Sequence, residues 1–212
     1  MIKDCNWKII LCLCWAGMSA SAALAQDGGL YEDVPDPSAS FVRVVAASPT
    51  NAVIDSKTFD QLDDGISGYV VVTKPGEINL VTGVDDATVT VAAGKYYSYV
   101  VGADGTKTLV PEDITSNPAQ AVISFFNLSD LPTVDLYVPA AKAVALKGVA
   151  MNGAANVALK APLKLDFEVR DGDKVLASLP AVDLQRRGGV AIVLRGSAGN
   201  YTVIGSNSAL AN

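Results

Sequence analysis

One strand pattern occurs twice along the chain, and that repetition constrains the fold more than any other feature. Residues 44–59 (VVAASPTNAVIDSKTF) and 125–139 (FFNLSDLPTVDLYVP) each run from an apolar strand through a polar turn with proline into an alternating run. Ala52 and Ile54 carry the alternation in the first copy, Val134 and Leu136 in the second. Residues 88–97 and 181–190 correspond in the same way, as a strand, a small turn and another strand. Between these pairs lie 69–72 with 78–81 in the first copy and 157–159 with 163–169 in the second.

Alternation with a period of two marks a strand that is apolar on one face and solvated on the other. Leu163, Leu165, Phe167 and Val169 take one side; Lys164, Asp166, Glu168 and Arg170 take the other. Asp171-Gly172, Asp104-Gly105 and Lys74-Pro75-Gly76 read as turns. Residues 140–149 are the only candidate for a short helix, weakened by Lys147-Gly148 and by the valines. Many short strands separated by turns predict an all-β protein. The expected architecture is two tandem antiparallel β-sandwich domains of immunoglobulin-like type. The boundaries expected are a flexible arm at 26–40, a sandwich at 41–110, a polar, proline-bracketed linker at 111–118, a second sandwich at 119–206 and a tail at 207–212. The alternative is one larger sandwich in which the halves share a core.

Residues 1–25 read as a separate object. Lys3 and Lys8 precede a short apolar stretch, 9–18, and Ala23-Leu24-Ala25 supplies the small residues of a cleavage site. A signal peptide cleaved after Ala25 is expected, with export and a mature chain from Gln26. Cys5, Cys12 and Cys14 all lie in this leader, so the mature chain would hold no cysteine and no disulfide. No later apolar run is long enough for a membrane helix.

The chain has no histidine. Ser-His-Asp and Cys-His catalysis are therefore excluded, zinc and transition-metal sites are disfavoured, and no cofactor or metal is expected. Asp63-Asp64 and Asp85-Asp86 lack the spacing of a calcium loop and read as solvated loop charges. Tyr97 and Tyr99 should share a strand face and Tyr96 should oppose them, which favours core and rim packing over a sugar-stacking platform.

Charge is uneven. Residues 26–117 carry 5 basic and 14 acidic side chains, whereas 118–212 carry 9 basic and 7 acidic. Lys160, Lys164, Arg170, Arg186, Arg187 and Arg195 all lie in the second half, with Arg186-Arg187 beside the Gly188-Gly189 turn. Gathered on one face, they would hold a polyanion or an acidic protein surface. The competing reading is a solvated face paired with Asp166, Glu168, Asp171, Asp173 and Asp183. Nucleic acid is a poor partner for an exported acidic chain.

Leu30-Tyr31, Pro35 and Ser40-Phe41-Val42-Arg43-Val44 resemble the opening of the alginate O-acetylation protein family AlgF. Phe126-Asn127-Leu128-Ser129-Asp130-Leu131-Pro132, residues 134–139, residues 158–163 and residues 176–180 resemble its second half more specifically. The resemblance implies a periplasmic protein needed to acetylate alginate, an acidic exopolysaccharide. Its implied partners are a membrane acetyltransferase complex, SGNH-type periplasmic acetyltransferases and the polymer itself. It supplies no catalytic residue. Three functions stay open on the residues: a non-catalytic adaptor, an acetyl carrier or acetyltransferase using Ser, Tyr or Lys, and a surface adhesin.

Overall fold

The computed structural model describes residues 36–114 and 117–211. The expected leader and most of the expected arm lie outside them. Sixteen strands are present among the described residues, eight per repeat. The first repeat holds β1 (Ser40–Ala46), β2 (Thr50–Ile54), β3 (Lys57–Leu62), β4 (Val70–Val72), β5 (Gly76–Thr82), β6 (Asp85–Val91), β7 (Tyr96–Val101) and β8 (Lys107–Glu112). The second holds β9 (Gln120–Ser129), β10 (Thr133–Val138), β11 (Ala143–Ala150), β12 (Gly153–Lys160), β13 (Leu163–Asp171), β14 (Lys174–Leu184), β15 (Gly189–Ser197) and β16 (Asn200–Ser208).

Strand order repeats with the sequence. The first half forms sheets β4-β1-β7-β8 and β3-β2-β5-β6; the second forms β12-β9-β15-β16 and β11-β10-β13-β14. The protein is a tandem β-sandwich. Pairing is antiparallel except that β1 runs parallel to β7 and β9 parallel to β15. Equivalent hydrogen bonds recur at equivalent places. The Gly94 N–H donates to the Ala39 carbonyl, and the Arg187 N–H donates to the Gln120 carbonyl. The Phe41 N–H donates to Lys95, and the Val122 N–H to Gly188.

Each sandwich has its own core. Val42, Val44, Ile54, Ile78 and Leu80 are buried together in the first, and Ile123, Phe125, Leu136, Phe167, Val169 and Ile192 in the second. The alternation of β13 is realised: Phe167 and Val169 are buried and Leu165 is half-buried, while Leu163 at the strand's start is largely exposed. Tyr97 and Tyr99 pack into the first core, and Tyr96 turns the other way to stack on Phe41, ring centroids 4.3 Å apart.

A third apolar cluster joins the halves. Val45 and Val100 from the first sandwich are buried with Phe126, Leu128, Ala191 and Val193 from the second. The β1 and β9 sheets therefore face each other, each covered on both sides. This is why every residue of β1 is buried. Each Val, Leu or Phe enclosed in this way contributes roughly 1.5–3 kcal/mol relative to exposure.

Several local expectations change. Residues 140–149 do not form a helix: a 3-10 turn at Pro139–Ala141 leads into β11, whose β-branched valines suit an extended chain. β8 runs through Glu112, two residues into the stretch read as a linker. Ala39 and Ser40, read as the end of a mobile arm, are buried; the Asp36 carbonyl accepts a bond from the Ala39 N–H, and Ser40 begins β1. The expected tail is also structured. β16 ends at Ser208, and the chain then bonds Tyr69 twice, through the Ala209 carbonyl and the Ala211 N–H. A Cβ on Gly68 would come within 3.0 Å of the Ala211 nitrogen, so a glycine admits this close approach.

Candidate functional site: the junction and its basic end

Arg43 occupies an alternating position in β1, where a charged residue ordinarily reaches solvent. Here the second sandwich covers it, and it is 1% exposed. Its guanidinium forms a fork on the equally buried Glu112 carboxylate, Nε to Oε1 at 3.1 Å and the second terminal nitrogen to Oε2 at 2.8 Å. Glu112 also accepts hydrogen bonds from the Tyr69 hydroxyl at 2.8 Å, the Asn156 amide at 3.0 Å, and the Ser98 and Ser124 hydroxyls. Arg43 donates further to Ser98 Oγ and Ser208 Oγ, both at 2.8 Å. Its plane lies over the Tyr69 ring at 4.5 Å and the Phe126 ring at 5.3 Å.

Residues of both repeats thus share one buried charge pair: Arg43, Tyr69, Ser98 and Glu112 from the first, Ser124, Phe126, Asn156 and Ser208 from the second. Burial opposes ionisation of Glu112, but Arg43 and the hydroxyl donors outweigh it and hold the carboxyl below its ordinary value. Burial pushes the Tyr69 hydroxyl far up, so it stays protonated and donates. Two further ties lie at the other end of the junction. Asn152 donates to both oxygens of Asp104 at 3.1 Å. Arg195 donates to the carbonyls of Ala46, at 2.7 Å, and Asp64. Gly102 leaves room for the first tie: a Cβ there would lie 2.3 Å from Asn152 Oδ1 and would push the Asn152 and Asp104 side chains aside.

The six candidate cations separate. Lys160, Lys164, Arg186 and Arg187 come together where β9, β13 and β15 begin. Lys160 pairs in register with Gln120, whose carbonyl accepts the Arg187 N–H, and Arg186 Nε donates to the Ala161 carbonyl at 3.3 Å. Lys164 lies opposite Asp183. Lys95, just before β7, joins them from the first repeat. Arg170 lies at the far end of β13, bound to Glu168 at 2.5 Å and over the Tyr137 ring at 3.4 Å. Arg195 is spent on the junction. The side chains of Lys95, Lys160, Lys164 and Arg187 have no hydrogen bond or ion pair among the described residues.

Charge therefore divides by ends of the stack as well as by halves of the sequence. Asp63, Asp64, Asp85, Asp86, Asp104 and Asp130 cluster where β1, β7, β9 and β15 stop. The first four are exposed, Asp85 pairs with Lys107 at 2.7 Å, and Gln61 donates to Asp63 at 2.6 Å. Asp104 caps its own turn by accepting from Thr106, Asp130 accepts from the Ala198 N–H and the Tyr201 hydroxyl of the β15–β16 hairpin, and these hydrogen bonds lower both carboxyls.

At the basic end the sandwiches leave a cleft of about 210 Å³. Tyr69, Tyr96, Gln120, Arg187, Gly188 and Ser208 are on its walls. A second hollow of about 270 Å³ adjoins it through Tyr96 and Ile114 and adds Lys95 and Asp113. Arg43 and Glu112, which lie beneath, are separated by 69 positions and could be found only by knowing that β1 and β8 sit in one sheet against the second sandwich.

A family model described as "Alginate O-acetyl transferase AlgF" matches residues 11–192. The "Alginate biosynthesis protein AlgF" of Pseudomonas fluorescens is 28% identical over 197 residues, 89% of this chain and 88% of that one. Its counterpart in Pseudomonas aeruginosa is 25% identical over 206 residues, 96% and 94% of the two chains. Among solved structures, the C-terminal domain of AlgF from P. aeruginosa is 24% identical, covering 42% of this chain and 98% of that one with a TM-score of 0.38. Because the family match runs from before β1 into β15, across both repeats and the junction between them, the chain belongs to the AlgF family.

Proposed function

We propose that this protein is a periplasmic, non-catalytic adaptor in the O-acetylation of alginate, and that its basic end docks the proteins that carry out the transfer. The placement of four cations carries the reading: Lys95, Lys160, Lys164 and Arg187 lie at one end without partners among the described residues. Cations held on a rigid body steer an acidic partner and fix its orientation. The body is stiff because one buried network and one apolar cluster hold both sandwiches. No described helix is long and apolar enough to cross a membrane. The relatives' printed names place them in alginate biosynthesis, and the signal-like leader supports export. An acetyl carrier needs an activated nucleophile. The buried hydroxyls of Ser98, Ser124 and Tyr69 all donate to an ionised carboxylate that Arg43 already neutralises, an arrangement that holds them protonated.

The test is capture of acetylation proteins from periplasmic and membrane fractions, using the wild type and the quadruple variant K95S/K160S/K164S/R187S as baits. Wild type should capture them, the variant should capture several-fold less at equal stability, and wild-type capture should fall with added salt. Equal capture by both baits would remove the basic end from the interaction. A stoichiometric acetyl adduct on the wild-type protein after incubation with an acetyl donor would replace the adaptor with a carrier.

A further inference from the structure

We propose that copies of this chain associate head to tail, the basic end of one seated on the acidic end of the next. The proposal rests on the same free cations as the adaptor reading and names a second acidic surface for them to meet.

The two ends cannot satisfy each other within one chain. β15, nine residues long, holds them roughly 27 Å apart, far beyond the reach of a lysine side chain. The basic end keeps Lys95, Lys160, Lys164 and Arg187 without a hydrogen bond or ion pair among the described residues. Two largely exposed leucines stand with them. Leu163 precedes Lys164 at the start of β13, and Leu210 shares the cleft wall with Arg187 and Gly188.

The acidic end has the opposite make-up. Where the sandwiches meet there, they leave a groove of about 430 Å³. Ala47, Ala103, Leu128 and the exposed Met151 give it apolar walls, and Asp104 and Asp130 give it negative charge. Asp130 accepts only from the Ala198 N–H and the Tyr201 hydroxyl, so its carboxylate keeps lone pairs for a cation. At the same end Val84, beside Asp85 and Asp86, is 98% exposed, so nothing among the described residues covers it.

The two faces complement each other across copies: cations around exposed leucines meet carboxylates around an apolar groove. Burial of the leucines favours contact, and the charges choose its orientation. Basic against basic, or acidic against acidic, would set like charges face to face, so symmetric end-to-end pairs are disfavoured. A contact between unlike faces is heterologous, and it repeats as a row instead of closing as a pair. Each copy is acidic overall, so copies repel at long range in low salt. At physiological salt the screening length of about 8 Å removes that repulsion and leaves the contact pairs. Only the copy at one end of a row keeps its basic end open. A second copy and an acidic acetylation protein therefore compete for the same four cations.

The experiment is sedimentation velocity of the mature protein from about 10 μM to about 1 mM at physiological salt. The average mass should rise by about twofold or more with concentration, and about 1 M salt should abolish the rise. Two variants block one end each: K95S/K160S/K164S/R187S removes the cations, and M151K puts a cation in the groove. Every position changed is exposed, so both variants should melt like wild type. Each alone should stay monomeric. Their equimolar mixture should form a one-to-one pair and nothing longer, because each supplies the end that the other lacks. Wild type that stays monomeric throughout, association that survives in either variant, or a mixture that fails to pair would each overturn the proposal. The adaptor reading is scored separately, by capture of acetylation proteins with wild-type bait at about 1 μM, below the range in which rows form. Self-association without capture sinks the adaptor and leaves the row, and capture without self-association does the reverse.

Discussion

The two facing sheets and the two outward sheets are built from the same repeat but live in different solvents. In β13 of an outward sheet, polar residues alternate with apolar ones, and the polar face is wet: Arg170 and Glu168 form a pair with side chains 24% and 23% exposed. In β1 of a facing sheet, the alternate positions are Phe41, Arg43 and Val45, and all three are buried. An arginine therefore means two things in one fold. On the outer sheet it is a solvated charge worth little to stability, and on the inner sheet it is one half of a buried pair whose partner is stranded without it.

The largest effects should come from placing a charge in either kind of core. Phe167→Asp, in the second core, and Phe126→Asp, in the junction cluster, should each destabilise by several kcal/mol, on the order of 3–5 from the lost ring alone. The informative case is Phe126→Asp. If the junction unites the sandwiches, denaturant melts both halves in one transition in the wild type. The variant should show two transitions, or one at much lower denaturant. A wild type that already melts in two well-separated steps would refute the united body.

Next in size is Arg43→Met, which leaves Glu112 ionised and unpaired in a dry interior and should cost about 3–5 kcal/mol. Arg170→Met, on the outer sheet, should cost under about 1 kcal/mol. Urea midpoints of the two variants compare the sheets directly, and similar losses would mean that Arg43 is better hydrated than its burial shows.

The pH response follows from Glu112. Its folded carboxyl lies below the ordinary 4.5, so the stability it contributes is complete above that value and is lost as pH falls through the folded value. Asp104 and Asp130 shift the same way. The melting temperature should fall with acid below about pH 4.5, and Glu112→Gln, though less stable at neutral pH, should show a shallower acid limb. An unchanged slope in that variant would assign the acid sensitivity to the surface aspartates. The smallest effect belongs to Lys164→Asp, at the exposed start of β13, within about 0.5 kcal/mol of wild type by thermal melting.

Much of this fold was legible beforehand. The repeat, the alternation of β13, the opposed faces of Tyr96 and Tyr97, and the Gly105 and Gly172 turns are local properties, set by strand period and by the φ values glycine permits. The gathering of Lys160, Lys164, Arg186 and Arg187 was foreseen as a possibility of the second half; two connections that cross between its sheets, β12–β13 and β14–β15, carry them. Arg170 and Arg195 were grouped with them wrongly: Arg170 lies at the opposite end of its strand, and Arg195 bonds carbonyls of the other sandwich. Lys95 was missed because it belongs to the first, acidic half.

The sequence by itself determined that this protein is a pair of β-rich repeats with no histidine and a polar connector. It determined which residues of each outward strand point inwards, since a two-residue period and one covered face are enough to say so. Only the tertiary structure decided what covers the second face of β1 and β9. Alternation separates two sides of a strand without stating whether the other side meets water or protein, so Arg43, Ser98 and Ser124 look solvent-facing until the sheets are stacked. Once they are stacked, Arg43 and Glu112 meet in a medium too poor in water to hydrate them. Their charges are then met by hydroxyls, an amide and two aromatic rings drawn from both repeats.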